Sequence, residues 1–291
     1  RLDDGRIFRS VLNIGIQPST PGTHHMAIEA YLLDFCEDIY GQHLVLDLMG
    51  YLRSEQKFAS IEDLVRQGKI TTTKPLTIDH SIVIIGGYND DYSRQVGSTE
   101  IEGNKTSRIL YVDTNAALEL TNVDICKGQT SESSPDGAGI YCAGTRLVLN
   151  TCKIYDNHAV GNGAGVYAGG QLIIKNCQLY NNSAANFGGA FYTKQTTSTI
   201  WWRYTIEGSE FHDNVATNGA AGYSGGYTQF YAGHNSFYDN VSSENGTVYI
   251  QHTSKDANAR TIFTNNIFTK NKGRALNFLF HSCYLLSLNT A

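Results

Sequence analysis

The sequence predicts an all-β protein, a right-handed parallel β-helix solenoid preceded by an incomplete antiparallel β segment with one short helix. Three observations carry this. First, six stretches end at anchor positions 128, 157, 182, 214, 240 and 271, a loose period of roughly 25–32 residues with strand-like content, which is the mark of a solenoid. Second, the chain has 29 Gly and 18 Tyr but only 4 Pro among 291 residues, which argues against a helical protein and against a Pro-rich disordered one. Third, composition changes along the chain. Residues 1–68 contain one Asn and residues 69–291 contain 22, and charge density falls after Gly68, so two differently built segments join near Gln67–Thr73.

Each column of the repeat has a physical reading. Three residues before the anchor stand Ile125, Ile154, Leu179, Phe211, Phe237 and Phe268, all large and apolar, so this column points inward and stacks. The anchors Asn157, Asn182, Asn214, Asn240 and Asn271 suit a corner, because Asn tolerates left-handed backbone and its amide bonds to the next rung. Five before the anchor, Cys152 and Cys177 are followed by Ser209, Asn235 and Asn266, small residues for a crowded interior. Between the anchored stretches come Gly137–Tyr141, Gly163–Tyr167, Gly188–Tyr192 and Gly246–Tyr249, where Gly supplies turn conformations before a short apolar strand.

The first segment reads differently. Arg6–Ile14 and Ala27–Phe35 alternate as strands, His43–Arg53 is a third, and Asp38–Gly41 turns between the last two. Ser60-Ile-Glu-Asp63 has capping-box spacing, with Asp for Glu/Gln, and opens a helix over Ile61–Gln67. Lys69–Lys74, at the joint, is polar and β-prone; proteases are expected to cut between Arg66 and Lys74 and the two segments are expected to share no core. The domains are then 1–68 and 69–291. The start, Arg1-Leu2-Asp3-Asp4, has neither a methionine nor a signal-like apolar run, and three strands with one helix cannot close a barrel; the chain is expected to be a fragment.

Several function classes are disfavoured at this level. A net charge of −5 gives no basic footprint for nucleic acid or an anionic membrane. No apolar run approaches the ~18 residues of a transmembrane segment. Six cysteines at 36, 126, 142, 152, 177 and 283 form no Cys-x-x-Cys pair, so the usual zinc and thioredoxin spacings are absent and no metal site is expected. Asp156, Asp213 and Asp239, one before the anchor, could bind calcium or act on sugars as a column of carboxylates; equally, Asp-Asn is turn chemistry repeated with the rung, and this reading is favoured. Tyr155, Tyr180 and Tyr238 form an aromatic column that either stacks on sugar rings or is favourable strand surface.

Two family resemblances follow from quoted motifs. Phe211-His-Asp-Asn214, Phe237-Tyr-Asp-Asn240 and Phe268-Thr-Lys-Asn271, with Gly188-Gly-Ala-Phe191, resemble the GGA(I/L/V) and FxxN repeats of the polymorphic outer-membrane protein family, and residues 75–280 resemble surface β-helix proteins of the pectin-lyase-like kind. In the first segment, Asn13-Ile-Gly-Ile-Gln-Pro-Ser-Thr20, Glu29-Ala-Tyr31, Asp38-Ile-Tyr-Gly41 and Tyr51-Leu-Arg-Ser-Glu-Gln-Lys-Phe58 resemble, in family order, the C-terminal part of bacterial riboflavin kinase, usually half of the bifunctional riboflavin kinase/FMN adenylyltransferase. Gln17 stands for a family Arg and Ser54 for a family Pro.

The second resemblance implies ATP-dependent phosphorylation of riboflavin to FMN with Mg²⁺, with Glu29 as the catalytic base and Asn13, Arg53 and Lys57 as cofactor-binding residues. A base there fits phosphoryl transfer, which needs an acceptor for the ribityl hydroxyl proton. The family's Gly-rich loop and PTAN motif, which hold ATP, Mg²⁺ and flavin, are absent from these 291 residues, so the chain by itself is expected not to turn over. Three readings stand side by side: a riboflavin kinase parent, cytoplasmic, with riboflavin/FMN and ATP as partners; a cell-surface or outer-membrane adhesin-like solenoid that binds carbohydrate or a host surface; and a polysaccharide-active β-helix. A natural fusion, a recombination scar and an assembly artefact all produce this juxtaposition.

Overall fold

The computed structural model describes residues 67–89, 94–195, 202–252 and 260–279, the strands at 10–16, 26–32 and 285–286, and isolated residues 2, 6–8 and 39. The chain divides into two compact units, Arg1–Ala59 and Ser60–Ala291.

In the first unit, β1 (Ser10–Ile16) pairs antiparallel with β2 (Met26–Leu32), from Ser10↔Leu32 to Ile16↔Met26. Both strands differ in extent from the sequence expectation. Residues 6–8 precede the ladder, and β1 runs two residues past Ile14, because a strand ends where its partner ends rather than where alternation does. The third strand, the helix over Ile61–Gln67 except Gln67, and both Arg53 and Lys57 lie outside the described residues.

The second unit is a parallel β-solenoid. Each rung visits three sheets in turn, and each sheet is eight strands deep; a fourth sheet, four strands deep, fills one corner of the middle rungs. The first sheet starts with β3 (Gly68–Thr72), pairs with Thr99–Gly103 and continues to Ile267–Thr269. The polar, β-prone run Lys69–Lys74 thus forms strand over its first four residues. Lys69–Thr72 are ladder residues, with Ile70 in register with Ile101, and Thr is a good strand former. The solenoid therefore begins about seven residues before position 75.

The inward column is deeper than the repeat suggested. Ile70, Ile101, Ile125, Ile154, Leu179, Phe211, Phe237 and Phe268 are successive register partners. Phe211 and Phe237 are buried and Phe268 is half-buried at the last rung; their rings stack at 5.0 and 4.5 Å. Each such side chain contributes about 1.5–3 kcal/mol through burial, and each ring pair a further ~0.5–1.5 kcal/mol. Across the core, Phe191 fills the volume that Gly222 leaves vacant on the next rung. A Cβ at position 222 would sit 2.0 Å from the Phe191 ring.

Two ladders of side-chain hydrogen bonds flank the first sheet. At the anchor, each Asn Nδ2 donates to the next Asn Oδ1: Asn157 to Asn182 (3.0 Å), Asn182 to Asn214 (3.1 Å), Asn214 to Asn240 (3.0 Å) and Asn240 to Asn271 (3.0 Å). The backbone N–H of each also donates to the next Oδ1. Left-handed backbone, however, falls one residue earlier than expected, at Asp156, Asn181, Asp213, Asp239 and Lys270, with φ of 53–55°. The corner needs both features on different residues: the amide must turn inward to reach the next rung, while the exposed residue before it takes the positive φ.

At the second ladder the chemistry changes while the job does not. Cys152 N donates to Cys177 Sγ (3.4 Å), Cys177 N to Ser209 Oγ (3.0 Å), Ser209 N to Asn235 Oδ1 (2.9 Å) and Asn235 N to Asn266 Oδ1 (3.0 Å). A thiol, a hydroxyl and an amide each satisfy one buried backbone donor that would otherwise cost about 1–3 kcal/mol. Among the described residues no helix is long and apolar enough to cross a membrane.

Candidate functional site

The hairpin of the first unit positions two of the four residues singled out from the sequence. Asn13 on β1 and Glu29 on β2 are register partners, directly opposite in the antiparallel ladder, with Ile14↔Ile28 and Leu12↔Ala30 on either side. Directly opposed Cα positions are the closest cross-strand pairs a sheet offers. The carboxylate residue and the amide residue are thus brought to one point of the sheet at the level of the backbone.

On the solenoid, the carboxylate column resolves in favour of turn chemistry. Asp156, Asp213 and Asp239 are exposed and occupy the left-handed position of their corners, where Asn181 and Lys270 serve equally on other rungs. What recurs is a backbone conformation, not a charge. His212, which sequence reasoning passed over, sets its Nδ1 2.7 Å from Asp213 Oδ2.

His212 also completes the aromatic column. Tyr155 and Tyr180 stack at 4.9 Å, Tyr180 and His212 at 4.9 Å, and His212 and Tyr238 at 4.7 Å, all within 6° of parallel. A second column on the next sheet runs Tyr111, Tyr141, Tyr167, Tyr192 and Tyr223 at 4.6–5.7 Å, then Tyr249 edge-on to Tyr223. Tyr141, Tyr167, Tyr192 and Tyr249 were in plain sight as the last residues of the Gly-Ala-Gly-Ile-Tyr141 type stretches, whereas Tyr111 and Tyr223 were not. In both columns most ring faces are covered by neighbouring rings, whereas a sugar stacks on an open face. The columns therefore act as strand surface.

Glu100, Glu102 and Cys126 bring three ligand atoms within 4.8 Å of one another. Two lysines already neutralise this cluster. Lys127 Nζ lies 2.6 Å from Glu102 Oε2, Lys69 bonds to the same oxygen, and Tyr155 Oη donates to Glu100 at 2.6 Å. The Lys127 hydrogen bond, then that of Lys69, hold the Glu102 carboxyl below its ordinary range. Burial pushes the Cys126 thiol up to about 11, which disfavours the thiolate a metal needs. Cys142, buried on the second sheet, is likewise pushed up to about 11. Cys152 and Cys177 form the buried thiol step of the second ladder; Cys36 and Cys283 lie outside the described residues.

Comparison with known proteins bears on the first segment. The riboflavin kinase family model, Flavokinase, matches residues 1–73. The bifunctional riboflavin kinase/FMN adenylyltransferase of Pseudomonas fluorescens is 41% identical over 61 residues, 21% of this chain and 20% of that protein. The Escherichia coli K12 protein of the same name is 40% identical over 57 residues, 20% of this chain and 18% of that protein. The bifunctional riboflavin kinase/FMN phosphatase of Arabidopsis thaliana is 42% identical over 60 residues, 20% of this chain and 16% of that protein. The chain thus spans about a fifth of the length of these relatives. No solved structure matches the chain. The protein therefore joins a riboflavin kinase-like segment to a parallel β-solenoid, and the family match overlaps the first solenoid strand by several residues.

Proposed function

We propose that the first segment is the C-terminal part of a riboflavin kinase, which transfers the γ-phosphoryl group of ATP to the ribityl hydroxyl of riboflavin, with Mg²⁺ neutralising charge on the phosphates. Glu29 accepts the hydroxyl proton as catalytic base. Asn13, opposite it in the ladder, and Arg53 and Lys57 contact the cofactor. The observation that carries this reading is the match of residues 1–73 to the riboflavin kinase family, supported by the Asn13↔Glu29 register. Residues 1–68 and 69–291 are then separate domains of different origin, the first working where ATP is, in the cytoplasm.

A general base contributes about 10²–10⁴-fold to rate. In the full-length protein that carries this segment, Glu29→Gln should lower riboflavin phosphorylation by that factor and leave riboflavin binding nearly unchanged. A variant that keeps most of the wild-type rate removes Glu29 from the mechanism.

The solenoid reads as a binding scaffold rather than a polysaccharide-cleaving enzyme, and the left-handed corner positions of Asp156, Asp213 and Asp239 favour that choice. A cell-surface or outer-membrane, adhesin-like role in binding carbohydrate or a host surface fits such a scaffold. Glycan-array binding by the intact chain tests it. Release of reducing ends or unsaturated sugars from any polysaccharide would favour the enzyme reading.

A further inference from the structure

Among the described residues of the solenoid, Arg108 is a cation held by ring stacking and neutral acceptors. The Arg108 guanidinium is half-buried, stacked 4.5 Å from the Tyr141 ring centroid and 5.8 Å from that of Tyr111. Its Nη2 donates to Ser134 Oγ and to the Asp136 backbone carbonyl, both at 2.7 Å. It makes no ion pair among the described residues. The nearby acid is turned elsewhere, since Asp136 Oδ1 accepts from Asn162 N (2.7 Å) and Asn162 Nδ2 (3.0 Å). Partial burial disfavours the charged form, yet a guanidinium stays protonated in proteins. Asp136 lends this cation some electrostatic support without pairing with it, and a partly desolvated cation with no ion pair is costly unless something completes it.

Arg108 lines a cleft of about 140 Å³ that is open to solvent and has no acidic residue in its wall. The other lining side chains are hydroxyls, one amide and Pro75. Ser134 Oγ accepts from Arg108, so its own proton is left to donate. Ser131 and Ser133 share one hydrogen bond at 3.0 Å, which leaves one of their two protons over. The Gln129 side chain lines the cleft, makes no hydrogen bond among the described residues and adds two donors. A fork of guanidinium N–H groups surrounded by hydroxyl and amide donors, without a carboxylate, is matched by an acceptor with several oxygens at tetrahedral angles.

We propose that this cleft is a binding site for a tetrahedral oxyanion, a sulfate or phosphate group, held by Arg108 with Ser134, Ser131 and Gln129. The cleft is open to solvent, so the ligand is either a sulfate or phosphate ester or the free ion. This inference is independent of the kinase reading.

The test is titration of the intact chain with inorganic sulfate and inorganic phosphate, followed by NMR of arginine side-chain Nε–H signals, with sodium chloride at matched ionic strength as control. Saturable binding is expected, about tenfold or more weaker in Arg108→Gln and several-fold weaker in Ser134→Ala, in line with loss of a charge-assisted and of a single hydrogen bond. Glucose 6-sulfate and glucose 6-phosphate distinguish the sources: tighter binding than the free ion assigns an ester, and equal binding assigns the free ion. Arg108→Lys keeps the charge without the fork and should bind more weakly than wild type. Should Arg108→Gln fail to fold, Ser134→Ala and Gln129→Ala read the same cleft without removing the cation. Shifts that chloride reproduces, or affinity unchanged in folded Arg108→Gln, or in both Ser134→Ala and Gln129→Ala, would overturn the site.

Discussion

The Asn ladder supports a quantitative prediction at its middle step, Asn214→Ala. Asn214 is fully buried. Its Oδ1 accepts from Asn182 N and Asn182 Nδ2, both at 3.1 Å, and its Nδ2 donates to Leu179 O (2.9 Å) and Asn240 Oδ1 (3.0 Å). Alanine removes all four bonds. At about 1 kcal/mol each, with the Asn182 amide and the Leu179 carbonyl left buried without these partners, the loss should be about 3–5 kcal/mol. Asn271→Ala is the internal control. It sits half-buried at the last described step, so water replaces part of what is lost, and about 1–2 kcal/mol is expected. Asn214→Asp separates the two roles of the amide. It keeps the acceptor but sets an anion beside two acceptors, so it should be worst at neutral pH and recover as acid protonates the buried carboxyl. Urea unfolding followed by tyrosine fluorescence reads the loss. Hydrogen exchange at the Asn182 amide locates it, which matters because solenoids can unfold rung by rung. A loss below about 1 kcal/mol, or equal losses at 214 and 271, would refute the idea that the ladder is a chain of mutually supporting bonds.

Three further outcomes are expected. Gly222→Ala should cost about 1–3 kcal/mol by overpacking against the Phe191 ring, and Phe191→Leu in the same chain should recover part of it; an additive double mutant would mean the two sites do not share that space. His252 is buried with Nε2 2.9 Å from Thr261 Oγ1, and burial holds its imidazole below the ordinary range. The unfolded chain therefore takes the proton first as pH falls, so stability should decline below pH ~6.5 and keep declining until the folded imidazole also protonates. His252→Gln should flatten that slope in a pH series of urea midpoints. Cys126, Cys142, Cys152 and Cys177 are all buried, and burial raises the first two to about 11, so iodoacetamide at pH 8 should label none of the four until urea is added; mass spectrometry of tryptic peptides reads this.

The solenoid was legible because its constraint is local and repeated. A rung needs a large apolar residue at one position and a small hydrogen-bonding one at another, so Phe211, Phe237 and Phe268, with Asn214, Asn240 and Asn271, spell out the stacking on their own. The two earliest rungs escaped that reading. Ile70 and Ile101 carry the inward column, but the anchor after Ile70 is Thr73, Asn104 after Ile101 bonds locally to Thr106, and Gly68–Thr72 is polar though β-prone. Only the parallel register with Thr99–Gly103 makes it a strand, since pairing, not composition, defines one. The same holds at the corners. Composition nominated Asn for the left-handed turn, and the fold assigned that conformation to the residue before it, because the amide was needed inside.

For the candidate sites the division is sharper. Motif order alone nominated Glu29, Asn13, Arg53 and Lys57, and the hairpin register then set the first two opposite each other across a gap of 16 residues in sequence. His212 and Arg108 show the converse. One fills a break in a column of tyrosines, and the other stands between two of them and a hydroxyl-lined cleft. Arg108 belongs to no quoted motif and His212 fills a variable position of one, because what defines each is a neighbour 26 to 33 residues away, and only stacking one rung on the next brings such residues within bonding distance.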